Sequence, residues 1–319
     1  YGPQGQRREE VRQIAVGDGR LAEGEFEYSL GMAQKERNLL NIYGPFFKPT
    51  RDFGAWRMTG QMSYGFTKDI TGTLSFADFD TDLGHRWQVA TGLRTGIGGL
   101  SARLDAALQN GDGRAVQLAL GGRVLGSALT LSHAEYGGEF IDEVRSFDSA
   151  FLRRASELNL SGAIDFSLGK AAAPLPYTLR MRRLEFADGR TQADASLRGS
   201  VRLGTVMLSK SFEYQHNTTP GLPGASQLTG SFDLARLSGS RLDLRGGFGY
   251  RILPNFAPLS ATVQADYAID DRTLVNAAVG RSFDNDETFL GLSASRRFDK
   301  FTLSFDSNYS LQSKSYSVA

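Results

Sequence analysis

From Phe26 to the end of the chain, apolar and polar residues alternate in stretches of about ten residues. One stretch carries Trp56, Met58, Gly60, Met62, Tyr64 and Phe66 on one parity, with Arg57, Thr59, Gln61, Ser63, Gly65 and Thr67 on the other. Period two sends alternate side chains to opposite faces of a strand, so one face meets an apolar medium and the other a polar one. Expected strands cover 24–35, 55–67, 71–79, 85–97, 99–109, 114–124, 127–137, 156–168, 177–187, 192–203, 205–215, 226–237, 240–252, 257–269, 272–283, 287–298 and 301–312. With nothing else to form a core, the pattern predicts an all-β fold: a transmembrane antiparallel up-and-down β-barrel with about 16–18 strands in this chain. Apolar side chains then face lipid and polar ones face a wet lumen.

The connections carry a second signal. Tight ones are expected at Lys68-Asp69, Gly96–Gly99, Gly126-Ser127, Gly204, Ser238–Ser240, Asp270-Asp271 and Asp299-Lys300. Longer ones are expected at Arg37–Gly54, Gly137–Ala155, Asn217–Ala225 and Asn285–Glu287, with Gly169–Pro176 medium-long on the tight side. Short periplasmic turns and longer outside loops are the habit of bacterial outer-membrane barrels, which predicts a periplasmic N-terminus. Residues 1–22, with a strand candidate at Val11–Val16, form an expected periplasmic lead-in, and 23–319 form the barrel. The ending lacks the terminal aromatic expected of a last strand, so the barrel is expected to be incomplete at its C-terminus. Aromatic girdles are expected at Trp56, Phe76, Trp87, Phe289 and Tyr309 on one side, and at Tyr64, Phe66, Phe298 and Phe301 on the other.

Composition changes this picture little. The chain has 319 residues, 40% of them hydrophobic, which suits strands that need an apolar residue only at every second position. A formal charge of +1 offers no polyelectrolyte signature, so nucleic acid is not an expected partner. Cysteine is absent, which excludes disulfides and thiolate chemistry.

Charged residues on the polar parity are the candidate pore lining: Arg57, Arg103, Asp105, Arg123, Asp165, Arg180, Arg182, Asp194, Arg198, Arg202, Asp233, Asp243, Arg245 and Asp266. A charge facing lipid is costly, so a shared parity is informative, although Arg and Asp on neighbouring strands also satisfy one another. Lys210 and Arg296 fall on the apolar parity and are expected near strand ends or bulges. Leu244 and Asp243 are expected mid-strand on the lipid and lumen sides respectively. No catalytic residue, metal site or cofactor is expected: Ser132 and His133 point to opposite faces, and Asp78, Asp80, Asp82 and Asp284, Asp286, Glu287 match no calcium loop.

The opening "YGPQGQRREEVRQIAVGDGRLAEGEFEYSLGMAQ", together with "SYGFTKDITGTLSFADFD", "GLSARLDAAL" and "SALTLSHAEYGGEF", resembles the outer-membrane ushers of the chaperone–usher pathway over about residues 1–140. The resemblance implies a wide pore for export and assembly of surface protein subunits or another polymer. Its implied partners are outer-membrane lipid, lipopolysaccharide and periplasmic chaperone–subunit complexes. No insert has the size of an usher plug domain, so a plugless relative is also implied. The alternatives are a passive porin-type diffusion channel, which a loop folded inward at Gly137–Ala155 would favour, and a structural surface barrel. The protein is expected to fractionate with outer membranes and to migrate differently on detergent gels before and after boiling; recovery as a detergent-free soluble monomer would exclude the barrel.

Overall fold

A computed structural model describes residues 20–35, 53–81, 84–97, 99–141, 151–168, 171–236 and 241–318. Most of the expected lead-in, including Val11–Val16, lies outside the described residues, as do most of 37–54 and the 238–240 connection.

Among the described residues every regular element is a β-strand, as the alternation predicts. The strands are β1 (Phe26–Gln34), β2 (Trp56–Thr67), β3 (Ile70–Thr81), β4 (Gly84–Ile97), β5 (Leu100–Gln109), β6 (Gly113–Val124), β7 (Ser127–Gly137), β8 (Leu152–Leu168), β9 (Ala171–Phe186), β10 (Thr191–Leu203), β11 (Val206–Thr218), β12 (Ala225–Arg236), β13 (Leu242–Leu253), β14 (Ala257–Asp270), β15 (Thr273–Ser282), β16 (Glu287–Arg297), β17 (Thr302–Ser310) and β18 (Ser315–Val318). The chain forms two compact units. One comprises Tyr1–Arg123 and Leu131–Phe151, the other Val124–Thr130 and Leu152–Ala319.

In the first unit β1 to β6 pair antiparallel, each with the next. In the second, β8 to β18 do the same. This up-and-down order gives every interior strand two hydrogen-bonded neighbours, which satisfies its backbone without water. Large apolar side chains are left outside any core: Leu30 is 72% exposed, Leu108 64% and Val263 57%. Residues paired across a ladder share a face, so the registers fix two faces in each unit. Met58, Met62 and Tyr64 stand on the apolar face of β2, opposite Met32, Tyr28 and Phe26 of β1. In the second unit Gly246, Val263, Val279 and Leu290 form one apolar rung across β13 to β16.

The structure departs from the sequence-based expectation in several places. The medium-long connection expected at 169–176 is strand: β8 runs to Leu168 and β9 begins at Ala171, with Leu168 opposite Ala171. Pro174 and Pro176 both fit the ladder, opposite Asp165 and Ala163. The expected contrast of tight and long connections has other exceptions: two residues separate β3 from β4, and three separate β5 from β6 and β13 from β14, while five separate β12 from β13 on the tight side. A short β18 is added beyond the expected last strand.

Phe289 was expected in an aromatic girdle. It stands opposite Gly280 on the polar face instead, where a Cβ on Gly280 would lie 2.1 Å from its ring. The ring covers backbone that the glycine leaves bare. Leu244 is not mid-strand; it lies near the start of β13, opposite Arg236. Lys210 is neither terminal nor at a bulge: it sits inside β11 in regular register with Gly199 and Phe232. Arg296 does lie near the end of its strand.

Val263 now offers the mid-strand test of the faces. Val263→Arg places a charge in hydrocarbon and is expected to cost about 2–4 kcal/mol of folding free energy into lipid vesicles. Its neighbour Thr262 belongs to the polar face, opposite Gly247 and Gly280. Thr262→Arg is expected to cost no more than about 0.5 kcal/mol. Equal costs would overturn the assignment of faces.

Candidate functional site

The polar faces hold the chemistry. All fourteen expected lining residues stand on the polar parity of their strands. The registers align Arg182 with Asp194, Arg198 with Thr178, and Asp243 with Asp266. Several form ion pairs rather than single charges. Arg182 meets Asp194 at 2.8 Å, Arg245 meets Asp266 at 3.8 Å, and Arg103 pairs with Asp105 along its own strand. Arg198 pairs at 2.8 Å with Glu213, a partner not singled out in the sequence. Asp233 accepts a hydrogen bond from the Ser231 hydroxyl at 3.2 Å, and Asp266 accepts one from the Asn276 amide at 2.6 Å. Arg202 donates to the Gly204 carbonyl at 3.1 Å, which closes its side chain onto a tight turn. Arg123, Asp165 and Arg180 are solvent-exposed, and Arg57 lies over the Phe79 ring at 5.9 Å.

Hydroxyls fill the space between these charges. One rung of the second unit runs Ser161, Thr178, Arg198, Ser211, Ser231, Gly249, Ser260 and Ser282. A recess of about 540 Å³ opens on this rung, bordered by Arg198, Ser200, Ser209, Glu213, Ser231 and Asp233. Short side chains keep the backbone bare there. The ion pairs cancel, so the surface is hydrophilic without a dominant sign of charge, and it offers many weak hydrogen bonds to whatever passes over it.

In the first unit, segments outside the strands cross the polar face at both ends. At the tight-turn end, residues 20–25 lie over β2 and β3. The Leu21 amide donates to the Thr71 hydroxyl at 2.8 Å, and Thr71 is fully buried. The Gly65 amide donates to the Glu25 carbonyl at 2.9 Å. A Cβ on Gly65 would lie 2.0 Å from the Ala22 carbonyl oxygen, so only glycine admits the segment. Arg20 comes within 3.8 Å of Asp69.

At the other end, the segment following β7 turns onto β5 and β6. The Gln109 side chain accepts from the Ile141 amide at 2.9 Å and donates to the Ile141 carbonyl at 3.2 Å. Phe140 and Ile141 are buried on this water-side face, as is Phe79. Arg86, also buried, donates to the Asn110 carbonyl at 2.9 Å and lies 3.5 Å from Glu139. A Cβ on Gly113 would meet the Phe140 backbone at 3.1 Å.

Alternation could not reveal these two segments, because they contact strands far away in sequence. Glycines at polar positions, Gly65 and Gly113, are the signal they leave. Of the groups set aside in the sequence, Glu287 stands on the polar face opposite Ser282. His85 lies 3.1 Å from both Asp78 and Asp80 on the apolar parity. Among the described residues no group of three or more His, Cys, Asp or Glu could hold a metal ion.

Comparison with solved structures places the fold among outer-membrane β-barrels. The P pilus usher (PapC) translocation pore superposes on 94% of this chain with a TM-score of 0.58 at 12% identity. The chain spans 60% of the length of that usher chain. A bacterial polysaccharide outer-membrane secretin covers 79% of this chain at 11% identity, with a TM-score of 0.36. A Rh. blastica porin mutant covers 92%, also at 11% identity, with a TM-score of 0.35. No family model matches the chain, and no curated protein does. The shared fold is the transmembrane antiparallel up-and-down barrel that the alternation predicts.

Gly65→Val tests the packing of the N-terminal segment. The added side chain should expel residues 20–22 and make the Arg20–Leu21 bond accessible, raising tryptic cleavage there about tenfold through local opening. N-terminal mass analysis of the digest reads this directly. Unchanged cleavage would show that the segment does not rest on Gly65.

Proposed function

We propose that the chain forms the wall of an outer-membrane pore that exports or assembles surface protein subunits or another polymer, as ushers do, and that it is not an enzyme. The likeness over 94% of the chain to a translocation pore carries this reading. The polar faces support it, being wet, rich in hydroxyls and balanced in charge. The lining role of the fourteen charged residues belongs to the same proposal, with residues 23–319 as barrel and 1–22 as lead-in. Outer-membrane lipid and lipopolysaccharide surround it, and periplasmic chaperone–subunit complexes are its proposed clients. The N-terminus is periplasmic in this reading, since turns such as Leu125-Gly126 and Gly204-Thr205 are tighter than the 219–224 connection.

A second reading, a passive diffusion channel, draws on one observation. The segment after β7 folds onto the polar face and is held by Gln109, as a constriction loop would be. Planar-bilayer conductance separates the two. An export pore should admit polyethylene glycols too large for a solute-sized channel, and these should lower its conductance. Exclusion of all but the smallest would favour the diffusion channel, and absence of conductance would overturn both. Epitope tags at Leu222 should be accessible on intact cells and tags at Gly204 hidden; the reverse would invert the orientation.

A further inference from the structure

Arg154, Arg183 and Glu185 form an ion triad on the apolar face of the second unit, near the long-connection ends of β8 and β9. Arg154 stands opposite Glu185 in the register, and Arg183 precedes Glu185 on the parity of Met181 and Leu179. The Arg154 guanidinium donates to Glu185 Oε2 at 3.2 Å, and that of Arg183 meets Oε1 at 2.8 Å. One carboxylate thus holds two guanidiniums side by side, each on its own oxygen. Arg183 reaches toward the strand end to do so, away from the middle of the sheet.

Depth decides what such a group can meet. Arg183 pairs with Ala193 of β10, and from Ala193 to Leu203 at the tight turn that strand advances ten residues. A tilted strand needs about nine to eleven residues to cross hydrocarbon. Arg183 therefore stands where the apolar band ends, with Glu185 and Arg154 one pair beyond it. Tyr214 shares the rung of Met181 just inside, the place of an interfacial aromatic. Arg236, opposite Val206, marks the other edge of the band. Lys210, between the two edges, donates to the Tyr250 hydroxyl and lies over the Tyr250 and Phe212 rings, so the sheet itself holds it.

The surroundings of the triad sort by chemistry. The Arg183 side chain is 62% exposed, so with one edge on Glu185 it turns its remaining donors outward. The planar fork of an arginine matches phosphate oxygens bidentately. Below the triad Leu158 faces Met181 and Leu160 faces Leu179, an apolar strip that descends from the cations. Cations at the edge of the band and apolar side chains within it fit the phosphate and the acyl chains of a membrane amphiphile. A zwitterionic phospholipid brings its own ammonium to its phosphate, whereas the phosphates of lipid A leave their charge for the protein to meet.

We infer that Arg183 and Arg154, held by Glu185, bind a phosphate of lipid A, with its acyl chains over Met181 and Leu158. The choice of lipid A rests on the proposed orientation, which puts the long connections outside and the triad in the outer leaflet.

Native mass spectrometry of the full chain folded in detergent tests this, with lipid A, phosphatidylglycerol and zwitterionic phosphatidylcholine as separate probes. The wild type should retain lipid A about tenfold better than phosphatidylcholine. Arg183→Met, which keeps a long side chain and removes the charge, should fall to the phosphatidylcholine level. Arg154→Gln should weaken the preference in the same direction, while Arg183→Lys should keep part of it. A shift in migration on detergent gels after boiling shows that each variant is folded. Equal retention of lipid A and phosphatidylcholine by the wild type, or an undiminished lipid A preference in Arg183→Met, would overturn the site. Stronger retention of phosphatidylglycerol than of lipid A would overturn lipid A as its occupant. The tags at Leu222 and Gly204 read the orientation separately, so inverted tags beside an intact lipid A preference would overturn the orientation and not the site.

Discussion

Hydrocarbon offers no hydrogen bonds, and the rest of this structure follows from that. A backbone crossing it must find all its partners in neighbouring backbone, so each strand takes its chain neighbours as ladder partners. Antiparallel pairing of consecutive strands needs only tight turns, and Leu125 and Gly126, both at positive φ, make one after β6. Once the ladder is fixed, period two decides everything about the faces. A side chain's position in the sequence determines whether it meets lipid or water, and a slip of one residue would exchange the two.

The ordinary sign of a folded core is therefore reversed. Large apolar side chains remain exposed along the strands, while most of the buried apolar residues lie on the water side, Ala102 and Val201 being the exceptions among the described residues. Phe79, Phe140 and Ile141 are buried in the first unit, and Leu152, Leu184 and Phe186 in the second. Phe79, Leu152, Leu184 and Phe186 lie near strand ends, and Phe140 and Ile141 just beyond β7. Packing there fixes how segments outside the ladder cross the polar face, and it leaves the lipid-facing surface untouched.

How much of this was legible follows from the same physics. Alternation is local, so strand positions and faces could be read residue by residue; Asp243 and Asp266, far apart in sequence, fall on one rung as their parities require. Three kinds of feature escaped. Residues 169–176 were expected as a connection, and the register shows instead that even Pro174 and Pro176 take ladder positions, where proline seldom sits. Phe289 resembled a girdle residue because an aromatic beside a turn usually is one; its use is to cover Gly280. The contacts of the segments around Ala22 and Phe140 escaped, although an inward fold at Gly137–Ala155 was one alternative, since they join distant parts of the chain and leave only a glycine as trace.

Glycine placement unites the features that were missed. Gly65 admits Ala22, Gly113 admits Phe140, Gly280 receives Phe289 and Gly230 receives Tyr250. On a sheet whose faces are otherwise carpeted by side chains, a missing Cβ is the only way for another group to approach the backbone closely. Each of these glycines weakens its strand, since it contributes no side chain to cross-strand packing and loses more entropy on folding. That loss is offset only where something occupies the gap, and in all four cases something does. Two of the occupants are whole segments on the polar face. The third is a ring standing on that face, and the fourth is the tyrosine that holds a lysine on the apolar one. At these four positions the glycine marks a second layer, whereas Gly199 and Gly246 meet only ordinary contacts, and the residue that fills each gap is where the sheet departs from a plain wall.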